Sequence, residues 1–156
     1  MCNNLKNKLI RFLEKDESTL SCAESCTGGG LSDFITDIPG ISKYFYGGIV
    51  SYSNEIKNKI LNVKKETLKN FGAVSKETVN EMAVNLQKKF NTNIAISISG
   101  IAGPTGGTRE KPVGTVFICI IKENKKIVKK VFFKGNRKEI KKQTIEKALN
   151  LLIEKF

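Results

Sequence analysis

Ser25 is the residue whose type and surroundings point most directly to chemistry. It lies between an apolar run at 19–23, typical of a buried strand, and apolar residues at 31–38 that repeat as on one face of a helix. The turn between them is rich in glycine. Amides at a helix start have no intrahelical partner, and glycine lets an anionic oxygen approach them. A hydroxyl at this place has donors that can stabilise an oxyanion.

The same pattern has a purely structural interpretation. Ser25 or Thr27 would then cap the following helix, and the glycines would only allow a tight turn. The neighbouring Cys26 is interpreted as a packing residue, since the sequence offers it no base.

Lys57 is a candidate for a lysine that is neutral and basic. The chain contains no histidine, which excludes Ser-His-Asp and Cys-His catalysis and leaves lysine, a carboxylate, tyrosine or a metal as the base. Ser53 or Asn54 can cap a helix whose first turn contains Lys57, where the helix dipole and any burial would lower the lysine pKa. A solvated surface lysine, like Lys59, is the alternative.

A second glycine-rich turn at 100–107 follows the apolar strand predicted at 94–99. Two such turns at strand ends favour a shared anion or nucleotide site. The spacing matches neither the Walker nor the dinucleotide fingerprint, so an ordinary loop stays an alternative.

Composition favours one domain over residues 1–156. The chain is 40% hydrophobic, has no run near the ~20 apolar residues of a membrane span, and begins without a signal-peptide core. We therefore expect a cytoplasmic protein without a membrane partner. The four cysteines are expected to be free thiols, and zinc is poorly supported.

The net charge of +12 is concentrated late in the chain. Residues 122–142 contain ten basic residues against two acidic ones. This admits a nucleic-acid partner, but the segment lacks interleaved aromatics and any recognition signature, so that partner is not favoured. A solvated basic face, or a field that attracts a phosphorylated substrate, explains the charge as well.

The apolar patterns predict helices over about 5–17, 27–38, 54–61, 75–90 and 136–155. Strands are predicted at 19–23, 47–52, 94–99, 113–121 and 127–133, the last two as an antiparallel pair. This order predicts an α/β protein, a three-layer α/β/α sandwich with a mixed sheet. A homo-oligomer is compatible with such a sheet if an edge is shared.

Five segments together resemble the CinA C-terminal domain family, in order and over about residue 5 to the end. They are AESCTGG (23–29), YSNEIK (52–57), GAVS (72–75), SISGIAGP (97–104) and KPVGTV (111–116). The family's enzymes are nicotinamide-nucleotide amidohydrolases. The resemblance implies deamidation of nicotinamide mononucleotide to nicotinate mononucleotide and ammonia, without cofactor or metal.

The resemblance also implies site residues. Ser25 would be the nucleophile, Lys57 its base, and Tyr52 would relay or position the proton. The amides around Thr27, Gly28 and Gly29 would hold the oxyanion. Substrate ribose or phosphate would be bound by Ser99, Gly100, Gly103 and Thr105, and Arg137 would bind the phosphate. The alternative function is a non-catalytic nucleotide-binding partner protein associated with competence or DNA damage, because the fold alone does not guarantee the reaction.

Overall fold

The computed structural model describes residues 2–156, which form six α-helices, a short 3₁₀ turn at Ile41–Lys43 and five strands. The elements in chain order are α1 (Cys2–Lys15), β1 (Leu20–Glu24), α2 (Gly30–Thr36), β2 (Phe45–Val50), α3 (Asn54–Leu61), α4 (Lys65–Phe71), α5 (Lys76–Phe90), β3 (Ile94–Gly100), β4 (Thr115–Lys122), β5 (Lys125–Phe132) and α6 (Arg137–Lys155).

The strands form one mixed sheet in the order β2-β1-β3-β4-β5. The first three are parallel, whereas β4 is antiparallel to β3 and β5 is antiparallel to β4. β1 is buried along its whole length, as expected for a strand covered on both faces. Because β1, β2 and β3 are parallel, the loops that follow them leave the sheet at the same edge.

Helices cover both faces of this sheet. On one face, α1, α2 and α6 pack with Leu9, Leu31 and Leu152 against the side chains of Cys22 and Ile96. On the other face, α3 and α5 bury a smaller cluster, with members Leu61, Met82 and Leu86. The predicted three-layer α/β/α sandwich is confirmed.

Three local predictions differ from the structure. α2 begins at Gly30 rather than near Thr27, because Gly28 (φ 60°) and Gly29 (φ 93°) adopt left-handed conformations. β2 spans residues 45–50 rather than 47–52. α4 was not predicted, since its start is stabilised by a tertiary contact: the Lys64 amide donates to Glu81 Oε2 (2.8 Å).

We expect Gly48→Ala to destabilise the protein by about 1–3 kcal/mol, the usual effect of overpacking. A Cβ at Gly48 would overlap Ser32 Oγ and come within 2.9 Å of Cys22 Sγ, where β2 contacts α2. Urea unfolding measures the effect. Gly30→Ala is the matched control, because its Cβ would meet only the movable end of Ile145 at 3.1 Å. Equal stability of the two variants would contradict this packing.

Candidate active site

Ser25 and Lys57 meet inside the protein, 32 positions apart in sequence. Lys57 Nζ lies 2.9 Å from Ser25 Oγ and donates to the Ser51 carbonyl at 2.7 Å. Lys57 is 1% exposed and Ser25 is 8% exposed. A hydroxyl in contact with a buried amine is a nucleophile with an adjacent base.

The end of β1 positions Ser25. Glu24 is the last residue of the strand, and the Ser25 amide still donates to the Ile98 carbonyl of β3 at 3.0 Å. The chain then turns sharply, and the Gly28 amide donates back to the Ser25 carbonyl at 3.0 Å. The backbone of Ser25 is therefore fixed on both sides by hydrogen bonds.

The start of α3 positions Lys57. Ser53 caps this helix, its hydroxyl accepting from the Ile56 amide at 3.1 Å, and the Lys57 amide donates to the Ser53 carbonyl at 3.0 Å. Side chains of a helix lean toward its N-terminus. The Lys57 side chain accordingly reaches back to Ser51, just before the cap, and to Ser25 across the sheet edge.

Burial lowers the pKa of Lys57 to about 8, because the interior disfavours the ammonium form. None of the described carboxylates pairs with Lys57. With a pKa of about 8, about a tenth of the Lys57 side chains are neutral at pH 7. Burial also raises the pKa of the Cys26 thiol to about 11, so this cysteine stays protonated next to Ser25.

Glu24 is a site residue that the sequence analysis missed. Its carboxylate is fully buried and accepts hydrogen bonds from the amides of Gly29 (3.1 Å), Leu31 (2.9 Å) and Ser32 (2.8 Å), and from the Ser32 hydroxyl (2.8 Å). A carboxylate of the chain itself therefore satisfies the first amides of α2. The sequence signal was a glutamate that ends an apolar strand directly before a turn and a helix.

The expectation that Gly28 and Gly29 hold an oxyanion therefore needs correction. The Gly28 amide is engaged by the Ser25 carbonyl and the Gly29 amide by the Glu24 carboxylate. Thr27 differs: it is fully buried, and its hydroxyl oxygen has no hydrogen-bond partner among residues 2–156. Nor does the Thr27 amide donate to an acceptor within this part of the chain.

Tyr52, Gly103 and Arg137 form a second group. One terminal nitrogen of the Arg137 guanidinium donates to Tyr52 Oη and the other to the Gly103 carbonyl, both at 2.8 Å. Tyr52 is 60% exposed, and this hydrogen bond directs its hydroxyl toward Arg137 rather than toward Ser25 and Lys57. The group thus links two loops to the start of α6 beside the Ser25–Lys57 pair, with Tyr52 directly following Ser51.

The remaining predicted binding residues divide into two kinds. Ser99 is buried and donates to the Ala73 carbonyl at 2.7 Å, and a Cβ on Gly100 would lie 2.7 Å from Val116 Cγ2. The Ser99 hydroxyl is therefore engaged within the fold, which corrects the expectation that it contacts substrate, whereas contact between Gly100 and substrate stays a prediction. Thr105 lies exposed in the 101–108 loop, where a ligand can reach its hydroxyl.

We found no group of three or more potential metal ligands among the residues that the structure describes. Over the same residues, no helix combines the length and the hydropathy needed to cross a membrane.

We expect Glu24→Ala to lower the free energy of unfolding by about 3–5 kcal/mol, because it removes a buried carboxylate and leaves the four donors that bind it without their acceptor. Chemical denaturation measures this. Glu154→Gln, an exposed carboxylate on α6, is the control and should change stability by less than about 0.5 kcal/mol. A small effect at Glu24 would show that the turn is held by other contacts.

The family model "CinA C-terminal domain" matches residues 2–156. A CinA-like protein of Thermosipho melanesiensis is 52% identical over 145 residues, covering 92% of this chain and 36% of that protein. A CinA-like protein of Endomicrobium trichonymphae is 53% identical over a match that covers 94% of this chain and 34% of that protein. The chain thus spans about a third of the length of these curated relatives.

Solved structures agree over nearly the whole chain. The competence/damage inducible protein CihA from Agrobacterium tumefaciens superposes with a TM-score of 0.94 at 36% identity, covering 98% of this chain and 94% of that one. A competence-damaged protein (CinA) superfamily protein from Enterobacter cloacae superposes with a TM-score of 0.95 at 34% identity. The match covers 99% of this chain and 92% of that one. The chain therefore belongs to the CinA C-terminal domain family.

Proposed function

We propose that this protein is an amidohydrolase that converts nicotinamide mononucleotide and water to nicotinate mononucleotide and ammonia. The observation that carries the proposal is the buried contact between Lys57 Nζ and Ser25 Oγ, in a chain that has no histidine. Membership of the CinA C-terminal domain family supports it, because the resemblance to that family implies this reaction. The identity of the substrate rests on that family relation.

In the acylation step, neutral Lys57 accepts the hydroxyl proton of Ser25, and Ser25 Oγ attacks the carboxamide carbon. The tetrahedral intermediate carries its negative charge on the former carbonyl oxygen. The amides of Cys26 and Thr27 are the donors of the turn that are left to stabilise it, since those of Gly28 and Gly29 are engaged. One such donor contributes about 3–4 kcal/mol where it has been tested.

Collapse of the intermediate breaks the carbon–nitrogen bond. The ammonium of Lys57 gives its proton to the departing nitrogen, so that ammonia leaves and an ester to Ser25 remains. Water then loses a proton to Lys57 and attacks the ester carbon. Release of the carboxylate product restores the serine hydroxyl and the neutral amine, and Lys57 serves as base and acid in both halves.

The test is ammonia release from nicotinamide mononucleotide by the wild-type protein, Ser25→Ala and Lys57→Met. We expect kcat of each variant to fall at least about 10³-fold. Ser25 and Lys57 act as one catalytic unit, so the loss of either residue removes most of the rate enhancement. Lys59→Met is the matched control: this lysine lies two positions away, is exposed and pairs with Glu55 at 2.6 Å. It should retain near wild-type activity.

Two outcomes would contradict the proposal. One is the absence of turnover by folded wild-type protein that binds the mononucleotide, which would support the non-catalytic binding function. The other is turnover that survives in Ser25→Ala, which would place the nucleophile elsewhere.

A further inference from the structure

A second lysine, Lys141, lies against the turn that contains Ser25. It is half-buried on α6, and its Nζ is 3.8 Å from the position that a Cβ on Gly28 would occupy. Arg137 precedes it by four residues, so the two cations project from the same side of the helix. One face of α6 therefore carries two positive charges toward the candidate site.

Arg137 and Lys141 differ in the partners that their side chains already have within the protein. Two nitrogens of Arg137 are engaged by Tyr52 Oη and the Gly103 carbonyl, so this side chain is fixed as part of the loop framework. Lys141 has neither a hydrogen-bond acceptor nor an ion-pair partner among residues 2–156. Its three ammonium hydrogens are thus free for an anion.

Lys141 also borders a groove of about 310 Å³ between α2 and α6. Three carboxylates line this groove, namely those of Asp33, Asp37 and Glu146, but none of them lies within the 4.0 Å of an ion pair with Lys141. Asp37 pairs with Lys6 at 2.8 Å instead. The groove therefore offers an open approach to a cation beside the Ser25 turn.

Lys57 and Lys141 accordingly suit two different roles at the turn that contains Ser25. Lys57 is fully buried and held by Ser25 and Ser51, which fits a proton carrier. The Lys141 ammonium lies three residues further along the turn, 3.8 Å from the position that a Cβ on Gly28 would occupy. A compact ammonium with free donors is well suited to a phosphate.

We propose that Lys141 binds the phosphate of the substrate and thereby selects a nucleotide amide over the corresponding nucleoside. This inference rests on the proposed amidohydrolase function. It transfers to Lys141 the phosphate contact that the sequence analysis expected of Arg137, whose role becomes that of a positioning residue for Tyr52 and the 101–108 loop.

Calorimetric binding of nicotinamide mononucleotide and nicotinamide riboside tests the inference in the Ser25→Ala background, where no turnover occurs. We expect adding Lys141→Ala to weaken mononucleotide binding about 10- to 100-fold, the loss of one charge-assisted contact, and to change riboside binding less than about 2-fold. Lys141→Arg should restore most of the affinity. Lys142→Ala, which removes the same charge from the next, exposed residue of the groove, should change neither.

Equal weakening for both ligands would overturn the inference, because Lys141 would then contact the shared nicotinamide or ribose. Unchanged mononucleotide binding in Lys141→Ala would overturn it as well. The two proposals fail separately: ammonia release by the Ser25-containing protein tests the amidohydrolase, whereas the difference between the two ligands tests Lys141 whether or not the wild-type protein turns them over.

Discussion

The amino group of Lys57 lies in the interior with two oxygens to bind it, the Ser25 hydroxyl and the Ser51 carbonyl. Either protonation state leaves one N–H without a partner, because an ammonium donates to both oxygens, whereas a neutral amine donates one of its two hydrogens to Ser51 and accepts the Ser25 proton with its lone pair. The two states differ in charge. The interior disfavours an ammonium that has no counter-ion, so burial favours the basic form of Lys57. Lowering its pKa from 10.5 to about 8 corresponds to roughly 3 kcal/mol against the charged form.

The contact between Lys57 and Ser25 determines where the neighbouring elements must lie. Ser25 has to leave β1 at the level where α3 begins, and Glu24 secures that position by binding the first amides of α2. The same carboxylate fills the anion site that a helix start would otherwise offer to substrate. Recognition of a substrate anion then depends on side chains, and α6 is the element that supplies free positive charge at this turn.

Much of the fold followed from the sequence, because apolar runs and helical periodicity are local patterns that indicate the three layers. The pairing of Ser25 with Lys57 instead followed from the resemblance to the CinA family, because the two residues lie 32 positions apart. Glu24 was not predicted, since its role depends on the left-handed turn at Gly28 and Gly29 that lets α2 fold back over it. The link between Tyr52 and Arg137 joins residues 85 positions apart and has no local signal.

The most direct test of this account is the pKa of Lys57, measured by NMR of the protein with isotope-labelled lysine side chains. The Lys57 resonance is assigned by its loss in Lys57→Met. The account predicts a titration midpoint near pH 8, with Nζ neutral above it. A midpoint near the ordinary lysine value of 10.5 would mean that the amine stays charged at neutral pH, which would contradict its role as the base for Ser25.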